Sequence, residues 1–373
     1  MTTNISDTKV MTPLRPDECV QKILISTPSR FVGELDAENI LITHAWQGAE
    51  KKNSAVRYDE GPASRSAYVL IFRTEPFERR MGAMFPNYSG VGPLICSYLS
   101  VLFGKRFDNH GLVEGTGHFY VPDQSQYLTL TNHRLPHNSH QPRKNLEIPL
   151  DLSEAKVILP LLFGNEAHPD VVHTFHTAAL FYMQAIQNRD DNPEISYLHL
   201  ITSMEIVAGF YQFDDSELID EQMSKYLVRI ETEMSGGQEV AQAIRGRMFS
   251  IRRRVLLTMQ RLLDSAFYEV NEARHDFGAL KFTERDSCIK AAYDLRSKYV
   301  HTGVPFGGWM ISGFSDEVQI GKPLVEGKEY AKILEKAPTF LGLERMVRYC
   351  LLRFLHLNDI PIHAGLGNSS FQI

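Results

Sequence analysis

The feature that most constrains this chain is a change of hydrophobic period near Asn165. Before it, apolar residues come in short runs rich in β-branched and aromatic side chains. Lys22-Ile-Leu-Ile-Ser, Ser66 to Arg73, Gly117 to Val121 and Tyr127 to Thr131 read as strands. After it, apolar residues recur at helical spacing. Helices are predicted over about 169–188, 193–212, 216–234, 239–265, 284–302 and 339–357. A period of two cannot sit on a helix, nor a period of 3.6 on a strand, so the two halves differ in class. The expected architecture is an α+β domain over 1–165 followed by an all-α helical bundle over 166–373. Within the first half, Val91–Phe103 reads as one buried helix closed by Gly104, and 132–145, with its prolines and histidines, as a loop.

A chain of 373 residues exceeds what one ordinary core accommodates. Its net charge of -6 argues against a protein that coats nucleic acid, so any such contact is expected to be local. Cys19, Cys96, Cys288 and Cys350 are too scattered for a disulfide framework or a metal site, and read as reduced thiols of a cytoplasmic protein. The polar start, MTTNISDTKVMTPLRPDE, lacks the apolar stretch of a secretory signal. No apolar run reaches the ~18 residues of a membrane span, so no membrane partner is expected.

The chemistry is expected in the fifth predicted helix, Asp294-Leu-Arg296-Ser-Lys-Tyr-Val-His301-Thr-Gly303. Gly303 suits the left-handed residue that ends a helix. His301 then sits in the last turn, where the dipole favours a protonated imidazole, and histidine trades protons near neutrality. Arg296 is a permanent cation whose fork fits a phosphate. A base for the ribose 2′-hydroxyl and a cation for the phosphoryl oxygens are the minimum for cutting RNA without a metal. Five residues turn an ideal helix by about 140°, so the pair shares no face of one straight helix. A second copy across a homodimer would supply the missing groups.

Two runs, Tyr293 to Gly303 and Leu198-His-Leu-Ile-Thr-Ser-Met-Glu205-Ile, resemble the HEPN superfamily, more closely its Apea-like branch. The likeness covers roughly half the chain, about 168–360. It implies an all-helical, dimerising domain with a composite, metal-independent endoribonuclease site and no cofactor, as in bacterial antiviral-defence or toxin-like effectors. Carried over, Arg296 and His301 are the catalytic pair; Glu205, Ser297 and Asp294 support them. Where many active members have Asn, Asp or His after the arginine, this chain has Ser297. Gly303 stands where the tyrosine-modified toxins carry their tyrosine, so that control is not expected. The first half would sense or restrain. The alternative is a non-catalytic helical module that binds RNA or a nucleotide, or that dimerises.

Other features have ordinary readings. Arg247, Arg254 and Arg261, seven apart, read first as a solvated helix face and second as a track for the RNA backbone. Glu205 reads equally as a half-buried acid that orients helices through an arginine. His133, His137 and His140 read as a polar loop, with no zinc site expected. His173 and His176 read as packing on one helix face.

Overall fold

The computed structural model describes residues 18–45, 64–75, 86–143, 150–164, 168–219, 221–247, 251–311 and 316–360. In chain order the first half contains β1 (Cys19–Thr27), β2 (Leu35–Ala37), β3 (Ile40–His44), β4 (Ser66–Thr74), α1 (Val91–Phe103), β5 (Asp108–Gly115) and β6 (His118–Phe119). Helices follow: α2 (Leu159–Phe163), α3 (Pro169–Gln187), α4 (Pro193–Phe210), α5 (Asp215–Leu218), α6 (Glu221–Glu233), α7 (Gly237–Arg247) and α8 (Ile251–Leu262). The last are α9 (Ala266–Glu269), α10 (Arg285–Thr302), α11 (Gly308–Ile311), α12 (Lys328–Lys336) and α13 (Phe340–His356). The chain is thus an antiparallel sheet region followed by a mostly helical one.

The described strands form one sheet in the order β2-β3-β4-β1-β5-β6, each antiparallel to its neighbours. β1 alternates as a half-buried strand must: Ile23 and Ile25 enter the core, while Lys22 and Leu24 are half-exposed. α1 packs on the sheet and against α3, and is buried along most of its length. Its carbonyl end is closed by Gly104 at φ 61°, a left-handed residue as expected from sequence. α3 and α4 pack together, with α13 against both, α8 against α4, and α10 against α4 and α8. One hydrophobic cluster runs from Ile23 in β1 to Ile360 beyond α13.

Three sequence expectations need correction. Tyr127–Thr131 is no strand: Ser125–Leu128 is a 3-10 turn, and Tyr127 stacks on His110 with ring centroids 5.0 Å apart. The strand expected over Gly117–Val121 shrinks to His118–Phe119, because Thr116 and Gly117 turn through positive φ. β5, DNHGLVEG, lacks a strand-like apolar pattern and was not anticipated. Of the helix expected over about 239–265, Gly237–Arg247 and Ile251–Leu262 are helical, and 248–250 lie outside the described residues. The boundary near Asn165 also lies outside them.

α13 carries charge into the core. Arg143 donates to Glu344 through both terminal nitrogens, at 3.0 and 2.7 Å, and pairs with Glu272 at 2.6 Å. Tyr182 donates its hydroxyl to Glu344. Arg345 pairs with Glu317 at 2.9 Å. Arg348 donates to the carbonyls of Val101 at 2.7 Å and Leu102 at 2.5 Å, and Arg143 to that of Gly104 at 3.2 Å. The next residue, Lys105, gives its ammonium to the carbonyls of Pro136, Ser139 and Gln141 at 2.6, 2.9 and 2.5 Å. Burial, and then Arg143, push the Lys105 pKa well below its usual value, while its three carbonyl partners match the three donors of an ammonium. So charged, Lys105, Arg143, Arg345 and Arg348 face the carboxylates Glu272, Glu317 and Glu344. The surplus cation is met by the carbonyl end of α1, where the helix dipole is negative. Burial disfavours a charged Glu272, but Arg143 beside it more than offsets this and holds its pKa below the usual value.

Candidate functional site

α10 folds as a helix because Cys288, Ile289, Ala291, Ala292 and Leu295 give it a buried stripe. Gly303, at φ 67°, ends it by returning its N–H to the Tyr299 carbonyl at 2.8 Å. His301 therefore lies in the final turn, as expected, and is exposed. It makes no hydrogen bond or ion pair among the described residues.

One turn and a half earlier, α10 faces α4. Arg296 pairs with Glu205 across that contact at 3.2 Å, with side chains 26% and 16% exposed. The Arg296 guanidinium also lies over the Tyr293 ring, 5.7 Å from its centroid. Burial raises the Tyr293 pKa, and the Glu205 carboxylate that the hydroxyl faces raises it further. The second Glu205 oxygen, Oε1, is buried without a well-formed hydrogen bond. On the adjacent edge Asp294 pairs with Arg252 of α8 at 2.8 Å. Burial raises the Asp294 pKa, with Arg252 working against it. Ser297 is half-buried on the same turn as Arg296.

Glu205, Tyr293 and Arg296 thus form one constellation between α4 and α10. His301 stands beyond it at the helix end. The ring and hydroxyl of Tyr293 were not anticipated as part of this group; their signal is the position one turn before Arg296, on the same face.

Two of the three arginines expected along one helix face serve the end of α4. Arg254 donates to the Tyr211 carbonyl at 2.8 Å and lies 5.8 Å from the Phe213 ring centroid. Arg261 lies 4.8 Å from the Tyr211 ring centroid. The Arg247 side chain lies outside the described residues. In the histidine loop, His137 is buried against Phe340 with Nε2 unbonded, and burial among Arg143, Arg189, Arg106 and Lys105 pushes its pKa well below 6.5. Among the described residues no group of three or more His, Cys, Asp or Glu side chains is placed to hold a metal ion. Nor is any described helix long and apolar enough to cross a membrane.

No family model, curated protein or solved structure matches this chain.

Proposed function

We propose that the α4–α10 face and the end of α10 form a HEPN-type ribonuclease site that acts on RNA without a metal. The observation that carries this reading is the pairing of two sequence-selected residues: Glu205 holds Arg296 while leaving its side chain 26% exposed, beside an exposed His301 one to two turns on. A guanidinium fixed by a carboxylate is positioned for a phosphate oxygen before substrate arrives. In this reading His301 takes the proton of the ribose 2′-hydroxyl, and that oxygen attacks the adjacent phosphorus. Arg296 stabilises the charge on the phosphoryl oxygens. The 5′-oxygen leaves with a proton from a second acid, leaving a 2′,3′-cyclic phosphate. That acid is the His301 of a second copy, which makes a homodimer part of the proposal. The chain would then serve in the cytoplasm as a toxin-like defence effector, with the sheet region as its sensing or restraining part.

A second reading is favoured by the same ion pair. Glu205 already supplies Arg296 with a partner, as an acid would that merely orients two helices. A dimerising, RNA-binding scaffold without catalysis follows from it. The test is incubation of the purified protein with total RNA in EDTA, beside His301→Ala. Cyclic-phosphate ends made by the wild type and not by the variant support the enzyme. Cleavage by neither protein, with RNA retained by both, supports the scaffold.

A further inference from the structure

The end of the sheet where β5 begins holds a second polar constellation, which shares no residue with the α4–α10 face. Asp108, at the start of β5, is shared by two arginines. Arg65 donates through Nη1 at 2.6 Å and Arg106 through Nε at 2.9 Å. All three side chains are no more than 4% exposed. Two guanidinium groups and one carboxylate leave a buried net charge of about +1, which costs several kcal/mol unless it is compensated. Among the described residues no second acid pairs with either arginine. The Asp123 carboxylate is turned to solvent, where it accepts from the Ser125 N–H at 2.9 Å.

What covers the arginines is neutral. Arg106 donates through Nη2 to the amide oxygen of Gln126 at 3.0 Å. Ser26 and His110 are bonded Oγ to Nε2 at 2.7 Å, and His110 Nδ1 contacts the Asp123 carbonyl at 2.6 Å. That carbonyl can only accept, so Nδ1 carries the proton and Nε2 accepts from Ser26. Tyr127 stacks on the imidazole. Burial lowers the pKa of His110, so it adds no charge near neutrality. The decisive feature is Arg65. Its side chain is 1% exposed, yet Nε and Nη2 have no hydrogen-bond partner among the described residues. Those two N–H groups form one edge of the guanidinium fork, the edge that takes two oxygens of a carboxylate or phosphate.

We propose that this end of the sheet binds an oxyanion, the phosphate or carboxylate group of a small ligand, between Arg65 and Arg106 beneath the 123–127 turn. The ligand would meet the free edge of Arg65 and displace the Gln126 amide oxygen from Arg106. The neutral turn is thus a cover that an anion exchanges for itself. Ser26, His110 and the stacked Tyr127 form the site's neutral wall. The proposal is independent of the ribonuclease reading.

The test is calorimetric titration of the full chain with inorganic phosphate and, separately, acetate, at fixed ionic strength with chloride as the reference salt. Saturable binding of at least one anion is expected, and the arm that gives it identifies the ligand's head group. Arg65→Gln should weaken that binding at least about 10-fold, the loss expected for a charge-assisted, two-point contact. Gln126→Glu is the sharper variant, since it places a carboxylate against Arg106 with almost no change of shape. In anion-free buffer it should raise the melting temperature by about 2 °C or more, and it should weaken anion binding. No saturable binding of either anion would overturn the proposal, as would binding undiminished in both variants. A lower melting temperature for Gln126→Glu would also overturn it, and that measurement stands if Arg65→Gln fails to fold.

Discussion

Arg143 and Glu344 stand 201 positions apart and meet in a two-point ion pair, with both side chains 1% exposed. The pair joins the loop after the sheet to the last long helix. Removing one partner of a buried pair leaves an uncompensated charge, at a typical cost of about 3–5 kcal/mol. Glu344→Gln should therefore lose stability of that order in urea denaturation. Tyr182→Phe, which removes one hydrogen bond to the same carboxylate, should lose about 1.5–3 kcal/mol. A change below about 1 kcal/mol in Glu344→Gln would show that the cluster repairs itself.

The ribonuclease reading predicts that activity and stability separate. His301→Ala removes an exposed side chain and should cost about 0.5 kcal/mol or less, yet lower cleavage by on the order of 10²-fold or more. Arg296→Ala should lose activity similarly and cost about 1 kcal/mol, since its pair with Glu205 is half-exposed. Glu205→Ala should lose both. Cleavage rates set beside melting temperatures decide it: full cleavage by a folded His301→Ala protein would end the proposal.

Stability should fall as the solution is acidified from about pH 6.5. His137 is held well below its ordinary value of 6.5 by burial and then by the surrounding cations. Burial also lowers His110, His176 and His199. When the folded pKa lies below the unfolded one, the unfolded chain binds the proton first as pH drops. The contribution is whole above the unfolded value and is lost below it. Melting temperature measured from pH 8 to 5 should bend downward near 6.5, and His137→Gln should flatten the bend. An unchanged slope in that variant would remove His137 from the account.

Two helix-ending glycines should respond unequally to alanine. Both Gly104 and Gly303 have positive φ, which costs an alanine about 1–2 kcal/mol. A Cβ on Gly303 would meet open space, whereas one on Gly104 would stand 2.9 Å from nitrogens of Arg143 and Arg348. Gly104→Ala should therefore destabilise by at least about 1 kcal/mol more than Gly303→Ala. Equal melting temperatures for the two variants would contradict this.

Where a pattern is local, the sequence foretold the structure. α1 and its Gly104 stop, α10 and its Gly303 stop, and α3, α4 and α13 all follow from apolar spacing and punctuation. Glu205 and Arg296 were each selected from sequence, but their pairing across 91 positions is tertiary and no spacing announces it. β5 escaped because Asp108 and His110, which look like surface residues, are buried by partners elsewhere: Arg65, Arg106 and Ser26. The charges inside α13 escaped likewise, since periodicity assigns charge to water. Tyr127 misled in the other direction: it alternates like a strand residue but is held in a turn by the His110 ring.

The placement of Glu344, Arg345 and Arg348 at least 201 positions after Arg143 has a consequence for how the protein is made. On the ribosome, the sheet and α1 emerge long before these three residues do. Until then Arg143 and Lys105 have no carboxylate from α13 to face, and the carbonyl end of α1 lacks its Arg348 donor. The sheet can pair its strands early, but until then Arg143 has Glu272 and lacks Glu344. We expect completion of this core to wait until α13 has emerged. A chain stopped before Phe340 should stay protease-sensitive across 86–143, whereas one ending after Ile360 should resist. Equal resistance of the two would show that the sheet region closes without α13.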